Sequence, residues 1–234
     1  MPRATTPRPR LLAPAPKSWK QSRSRDTHEA LVRAAREVFA EKGYDAAQTP
    51  DIAAAAGVST GAFYRYFKDK KQVFLEVLVL HLGSARDRVR KRLSPERFVG
   101  ADARTSIDVV LDVLFAVIRK DARIHRVFMS TSMSDPDVAA LRAEFEAEER
   151  RELSRLIAAI VPREVVPDTD AAAVVFQVAA VEVAIDQSGV RAKRGKGADR
   201  REVKRALGDM FFRYLFGSSA EQTSGARRPT RRAP

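Results

Sequence analysis

The sequence contains no cysteine, which excludes disulfides, thiolate catalysis and cysteine-ligated metal and agrees with a reducing compartment. It also lacks any run of about eighteen uncharged apolar residues, the length a helix needs to cross a bilayer. Its N-terminus, MPRATTPRPRLLAPAPKSWK, is interrupted by prolines and basic residues where a signal peptide would carry an unbroken apolar segment. A cytoplasmic protein is the expectation. No Gly-rich phosphate loop, Gly-x-Ser-x-Gly elbow or paired-carboxylate constellation stands out. The three histidines, His28, His81 and His125, are far apart and lack metal-ligand spacing. With no catalytic residue, metal site or cofactor to name, the reading is a binding protein and not an enzyme.

What is present is positive charge and helical periodicity. The net charge is +13 over 234 residues, and such an excess points to an anionic partner. Its placement is uneven. Residues 1–25 hold seven basic residues and no acid, and residues 218–234 hold four arginines against Glu221, so the two ends carry ten of the thirteen charges. Residues 1–24, rich in proline and serine with few apolar anchors, read as a disordered basic arm, and 218–234 as a basic tail. In between, 44% hydrophobic content supports a substantial core, divided here into two domains.

The stretch TPDIAAAAGVSTGAFYRYF, residues 49–67, can be read almost residue by residue. Thr49 is expected as an N-cap with Pro50 at the first helical position. Ala53 permits a close helix crossing, Gly57 supplies the positive φ that ends the helix, and Val58 plugs the turn. Ser59 is a second N-cap, and Phe63 and Phe67, four apart, share the inner face of the next helix. Thr60, Gly61, Ala62, Tyr64, Arg65 and Tyr66 then point elsewhere. This is the layout of a helix-turn-helix, whose second helix enters the DNA major groove. A purely structural hairpin has no use for Tyr64, Arg65, Tyr66 and Lys70 on its solvent side, whereas a DNA reader needs phosphate donors there.

Ala53, Gly57, Val58 and the run from Thr60 to Phe67, followed by Lys70, resemble the DNA-binding domain of the TetR family of bacterial transcriptional regulators, over about residues 26 to 92. The resemblance implies that Thr60, Gly61 and Ala62 approach base edges while Thr49, Tyr64, Tyr66 and Lys70 hold phosphates. Arg65 is a candidate base reader, with guanine its commonest partner. It also implies double-stranded DNA with a palindromic operator, a homodimer, and release by a small apolar effector.

Apolar spacing completes an all-α chain of about nine helices: a three-helix N-terminal helix-turn-helix DNA-binding domain over 25–92 and a helical effector-binding and dimerisation domain over 93–217. The first helix is placed at 26–42, stopped by Gly43, and the fourth at 70–92, with Pro95 and Gly100 marking the joint. A short sixth helix ends before the Ser130–Ser134 run; the seventh opens at Pro136 and ends at Pro162. Phe115, Phe128, Met129 and Met133, with His125 and Gln177 as polar fixtures, are the candidate effector pocket among helices five to eight. Helices eight and nine, about 168–188 and 199–216, are apolar on more than one face and need two partners. Val178, Val181, Glu182, Ile185, Leu207, Phe211 and Tyr214 are therefore assigned to a dimer interface. Glu182 and Asp186 interrupt helix eight and require partners of their own; the basic stretch Arg191–Arg205 is either that partner or a solvated run, and Gly189–Gly197 forms a basic loop between helices eight and nine. Two functions remain: a ligand-responsive repressor, or a regulator of this fold without a small-molecule ligand. A membrane-surface role is disfavoured, because the helices are better explained as core.

Overall fold

The computed structural model describes residues 22–93, 102–161, 164–187 and 199–217. The basic arm up to residue 21, the joint at Pro95 and Gly100, Pro162, the loop 189–197 and the tail 218–234 lie outside the described residues. Every regular element among the described residues is a helix: α1 Ser22–Lys42, α2 Thr49–Ala55, α3 Thr60–Tyr64, α4 Lys70–Arg92, α5 Ala103–Lys120, α6 Ala122–Thr131, α7 Pro136–Ile160, α8 Thr169–Gln187 and α9 Arg200–Phe216. None is long and apolar enough to cross a membrane.

The helix starts are set largely by aspartates whose side chains take up orphan backbone N–H groups. Asp69 accepts from Gln72 N at 2.7 Å at the head of α4, Asp102 from Thr105 N at 2.8 Å before α5, and Asp135 from Asp137 N at 2.9 Å before α7. Asp168 accepts from Ala171 N at 2.8 Å before α8 and Asp199 from Arg201 N at 2.6 Å before α9. Glycine closes α1: Gly43, at φ 81°, donates to Phe39 O at 2.9 Å. Three boundaries differ from expectation. Helix α1 begins at Ser22 and not at 26, so it takes in the end of the segment 1–24 read as a disordered arm. Helix α2 begins at Thr49 with Gln48 as its N-cap, because Asp51 three residues on accepts the Gln48 backbone N–H at 3.1 Å; Thr49 is thus the first helical residue and not the cap. Helix α6 continues to Thr131, and Ser130 and Ser132 turn their hydroxyls back onto Val127 O and Met129 O instead of ending it.

Packing sorts into two compact units that interleave along the sequence. Of the described residues, the first takes those up to Arg90 together with Lys120–Ala147, and the second takes those between Lys91 and Arg119 and those from Glu148 onward. The first core is built on Leu31, Phe39, Ile52, Phe63, Phe67, Phe74 and Leu78, with Ile124, Val127, Phe128, Val138 and Leu141 contributed by α6 and the start of α7. The second is built on Ile107, Leu111, Ile157, Phe176, Leu207, Phe211 and Leu215. Helix α7 therefore serves one core with its first half and the other with its second. Arg104 pairs with Asp209 and Lys204 with Asp112, which tie α5 to α9 within the second unit.

Candidate nucleic-acid interface

Helix α2 buries Ile52 and Ala53 completely, and its end turns at Gly57, φ 70°, where Gly57 N bonds Ala54 O and Val58 N bonds Ala53 O, each at 3.0 Å. Ser59 caps the next helix as expected, its Oγ accepting from Ala62 N at 3.1 Å. Phe63 on α3 and Phe67, which lies past the helix end at Tyr64 and not on the same helix as expected, are both fully buried with ring centroids 5.5 Å apart, so α3 is held from its inner side. Its outer face is the open one: Tyr64 is 55% exposed, Gly61 and Arg65 are exposed, and Thr60, Ala62 and Tyr66 are half-buried. A Cβ built on Gly61 would meet nothing in the protein nearer than Ser59 Oγ at 3.9 Å. Internal packing therefore does not require glycine here, and the missing side chain leaves room for something outside to approach the backbone.

Lys70 sits differently from the expected phosphate contact. Its ammonium, with three donors, bonds Tyr44 O, Asp45 O and Ala47 O at 3.0 to 3.1 Å and lies 4.8 Å over the Tyr44 ring, pinning the α1–α2 loop. The Tyr66 hydroxyl lies 3.4 Å from Ser24 Oγ, which places the first turn of α1 beside the end of the motif. His28, expected in packing or on the surface, stacks on Phe67 at 5.1 Å and pairs with Glu76 at 3.3 Å. Lys42 pairs with Asp51 at 2.9 Å, and this ion pair, with the Gln48 N–H behind it, holds the Asp51 carboxyl below its ordinary range.

The pocket residues divide between the two units. Phe115 and Gln177 belong to the second unit, whereas His125, Phe128, Met129 and Met133 belong to the first. Phe128 is only 2% exposed because α6 turns its apolar stripe into the first core, and Met133, 85% exposed, stands out in the turn after α6. Gln177 Nε2 instead reaches Glu149 at 3.3 Å. An apolar cavity of about 30 Å³ does occur in the second unit, lined from α5, α7, α8 and α9 by Ile107, Val110, Leu153, Ile157, Phe176 and Leu215 among others. The helix nine contribution replaces the expected helix six.

The assigned dimer residues divide similarly. Val178 and Tyr214 are exposed, Val181 and Glu182 half-buried, but Ile185, Leu207 and Phe211 are buried within their own unit. Phe211 stacks on Phe176 with centroids 4.1 Å apart. The outward apolar surface keeps Val178 on α8 and Tyr214 on α9 and adds Val174, Val175 and Met210.

Comparison with known proteins matches the site. Residues 31–77 fit the family model described as bacterial regulatory proteins, tetR family. The HTH-type transcriptional activator FasR of Mycolicibacterium smegmatis is 33% identical over 111 residues, 47% of this chain and 49% of that protein. The HTH-type transcriptional repressor KstR2 of the same species is 39% identical over 64 residues, 27% of this chain and 30% of that one. The matches thus span about half or less of these relatives. A transcriptional regulator from Rhodococcus sp. Rha1 superposes with a TM-score of 0.65 over 81% of this chain and 96% of its own, at 21% identity, and so shares the fold. The capped helix-turn-helix and the all-helical fold agree with that match, which places residues 31–77 with the helix-turn-helix of bacterial regulatory proteins of the tetR family.

Proposed function

We propose that the chain is a transcriptional regulator that binds a near-palindromic operator as a homodimer in the cytoplasm. In this reading it acts as a repressor, released by a small apolar effector. The observation that carries it is the open outer face of α3, held rigidly from beneath by Phe63 and Phe67. Thr60, Gly61 and Ala62 approach base edges, Arg65 reads a base, and Thr49, Tyr64 and Tyr66 hold phosphates. Lys70 supports the interface from behind by holding the loop that leads into α2. The exposed valines of α8 with Met210 and Tyr214 of α9 favour a second copy of the chain as the partner, because two-fold pairing of such a face covers it on both protomers and presents two recognition helices. A ligand releases DNA only if it prefers one of two states. The cavity of about 30 Å³ has room for one or two waters by the usual measure, so an apolar effector must widen it on entry.

That small volume also favours the second reading, a regulator of the same fold without an apolar ligand. Selection from random duplexes, followed by melting curves with a library of apolar compounds, tests both. A two-fold sequence and a raised melting temperature support the ligand-responsive dimer, since a ligand at a hundredfold excess over its Kd stabilises by about 2.7 kcal/mol. A two-fold sequence with no responding compound supports the second reading. A selected site lacking two-fold symmetry would sink the dimeric operator.

A further inference from the structure

Within the first unit a cleft of about 420 Å³ opens between α1, α4 and the start of α6. Its lining carries four cations, Arg33 and Arg36 from α1, Arg88 from α4, and Lys120, against one carboxylate, Asp121. Asp121 is shared: Arg36 reaches one oxygen at 2.5 Å and Arg88 the other at 2.7 Å. Its side chain is 10% exposed, so the carboxylate sits in the floor while the guanidiniums, 37% and 24% exposed, still face the opening. Arg88 Nε is buried and has no acceptor among the described residues. Arg33 meets only Glu29, at 3.9 Å, and Lys120 is exposed at the rim. His81, 7% exposed, lines the floor next to Val77. Arg36 also donates to Glu37 at 2.8 Å, outside the cleft lining, so three carboxylates engage the four cations, with Asp121 alone inside the cleft; guanidinium forks that converge on an open cleft match the planar or tetrahedral oxygens of a carboxylate or phosphate.

We propose that this cleft binds a small organic anion, bearing phosphate or several carboxylates, that competes with Asp121 for Arg36 and Arg88. The site is distinct in chemistry from the apolar cavity of the second unit, shares no lining residue with it, and stands independently of the DNA-binding reading. Arg33 and Lys120 draw the anion in and contact it at the rim. Arg36 and Arg88 take over as it displaces the Asp121 carboxylate, which frees the start of α6 from α1 and α4.

The test is calorimetric titration of the full-length protein with inorganic pyrophosphate and, separately, citrate, at fixed ionic strength. Saturable binding of one anion per chain is expected in at least one arm, and the arm that saturates tells phosphate from carboxylate recognition. Arg33→Gln with Lys120→Gln, both surface changes, should weaken it by about tenfold or more, whereas Arg151→Gln on the exposed side of α7 should leave it unchanged. Asp121→Asn, which removes the internal competitor, should tighten binding. Its folding is checked by circular dichroism, and the double rim variant carries the test should it fail to fold. Absence of saturable binding in both arms overturns the site. So does unchanged affinity in the rim variant, which would assign the binding to the basic surface at large, and so does weaker binding in a folded Asp121→Asn protein.

Discussion

Lys70 makes three hydrogen bonds to carbonyls of the segment between α1 and α2 and so holds the approach to the helix-turn-helix. Lys70→Met keeps the aliphatic stem against Tyr44 but leaves those carbonyls to water. It should lower stability by about 1–3 kcal/mol, read as a shifted urea midpoint at unchanged slope, and weaken DNA binding through the displaced loop. A variant of full stability with lost DNA affinity would return Lys70 to direct phosphate contact. His81 gives a prediction in pH. Burial, and after it the neighbouring His125, pulls its pKa from 6.5 to about 4, with Asp121 opposing and Arg36 and Arg88 adding to the fall. The folded state therefore holds the neutral imidazole, and the unfolded chain takes up the proton first as pH drops. The contribution is complete above about pH 6.5 and is lost as pH falls through about 4, at most about 3 kcal/mol from 1.36 kcal/mol per unit. His81→Gln should lose less stability than the parent between pH 7 and 4. Parallel losses in the two proteins would show that His81 does not titrate as described.

At the scale of elements, α8 and α9 give the sharpest contrast between neighbouring residues. Val178 is 57% exposed and Met210 48%, while Phe211, the next residue, is 2% exposed and stacked on Phe176. Val178→Asp with Met210→Asp should leave the monomer folded and abolish the dimer in analytical ultracentrifugation. Phe211→Ala should instead cost about 3–5 kcal/mol of stability, as large-to-small changes of buried aromatics do. A folded double variant that remains dimeric would move the interface away from this face. At the end of α3, Arg65→Ala should alter which operators are selected, whereas Tyr66→Phe should weaken all sequences alike and leave the salt slope unchanged, because the lost hydroxyl is uncharged. Equal preferences for parent and Arg65→Ala would remove Arg65 from base readout.

For the whole molecule, charge outside the described residues dominates. Five basic residues among residues 1–21 precede α1, and Arg23 and Arg25 stand at its start, where Ser24 lies beside Tyr66, so basic residues there have phosphates within reach if α3 docks in the groove. Deleting residues 1–21 should keep the selected sequence and weaken binding at low salt. An arm making two to four phosphate contacts should reduce the slope of log K against log salt by roughly two to four. Identical slopes on one operator would exclude such contacts.

The helix-turn-helix was determined by sequence alone because its parts are local: a cap, a turn glycine and two phenylalanines four apart interact within twenty residues, and their spacing carries the geometry. The all-helical architecture was readable for the same reason, through apolar residues recurring every three or four positions. Only the tertiary structure decided where each apolar stripe goes. Periodicity marks Phe128, Met133, Phe211 and Met210 alike as apolar, but packing buries the first and third and leaves Met133 and Met210 outside. Likewise nothing local joins Arg36, Arg88 and Asp121, which meet only because α6 and the first half of α7 pack with α1 and α4 in one core. Such contacts depend on chain segments dozens of residues apart, so their partners are fixed by packing and not by spacing.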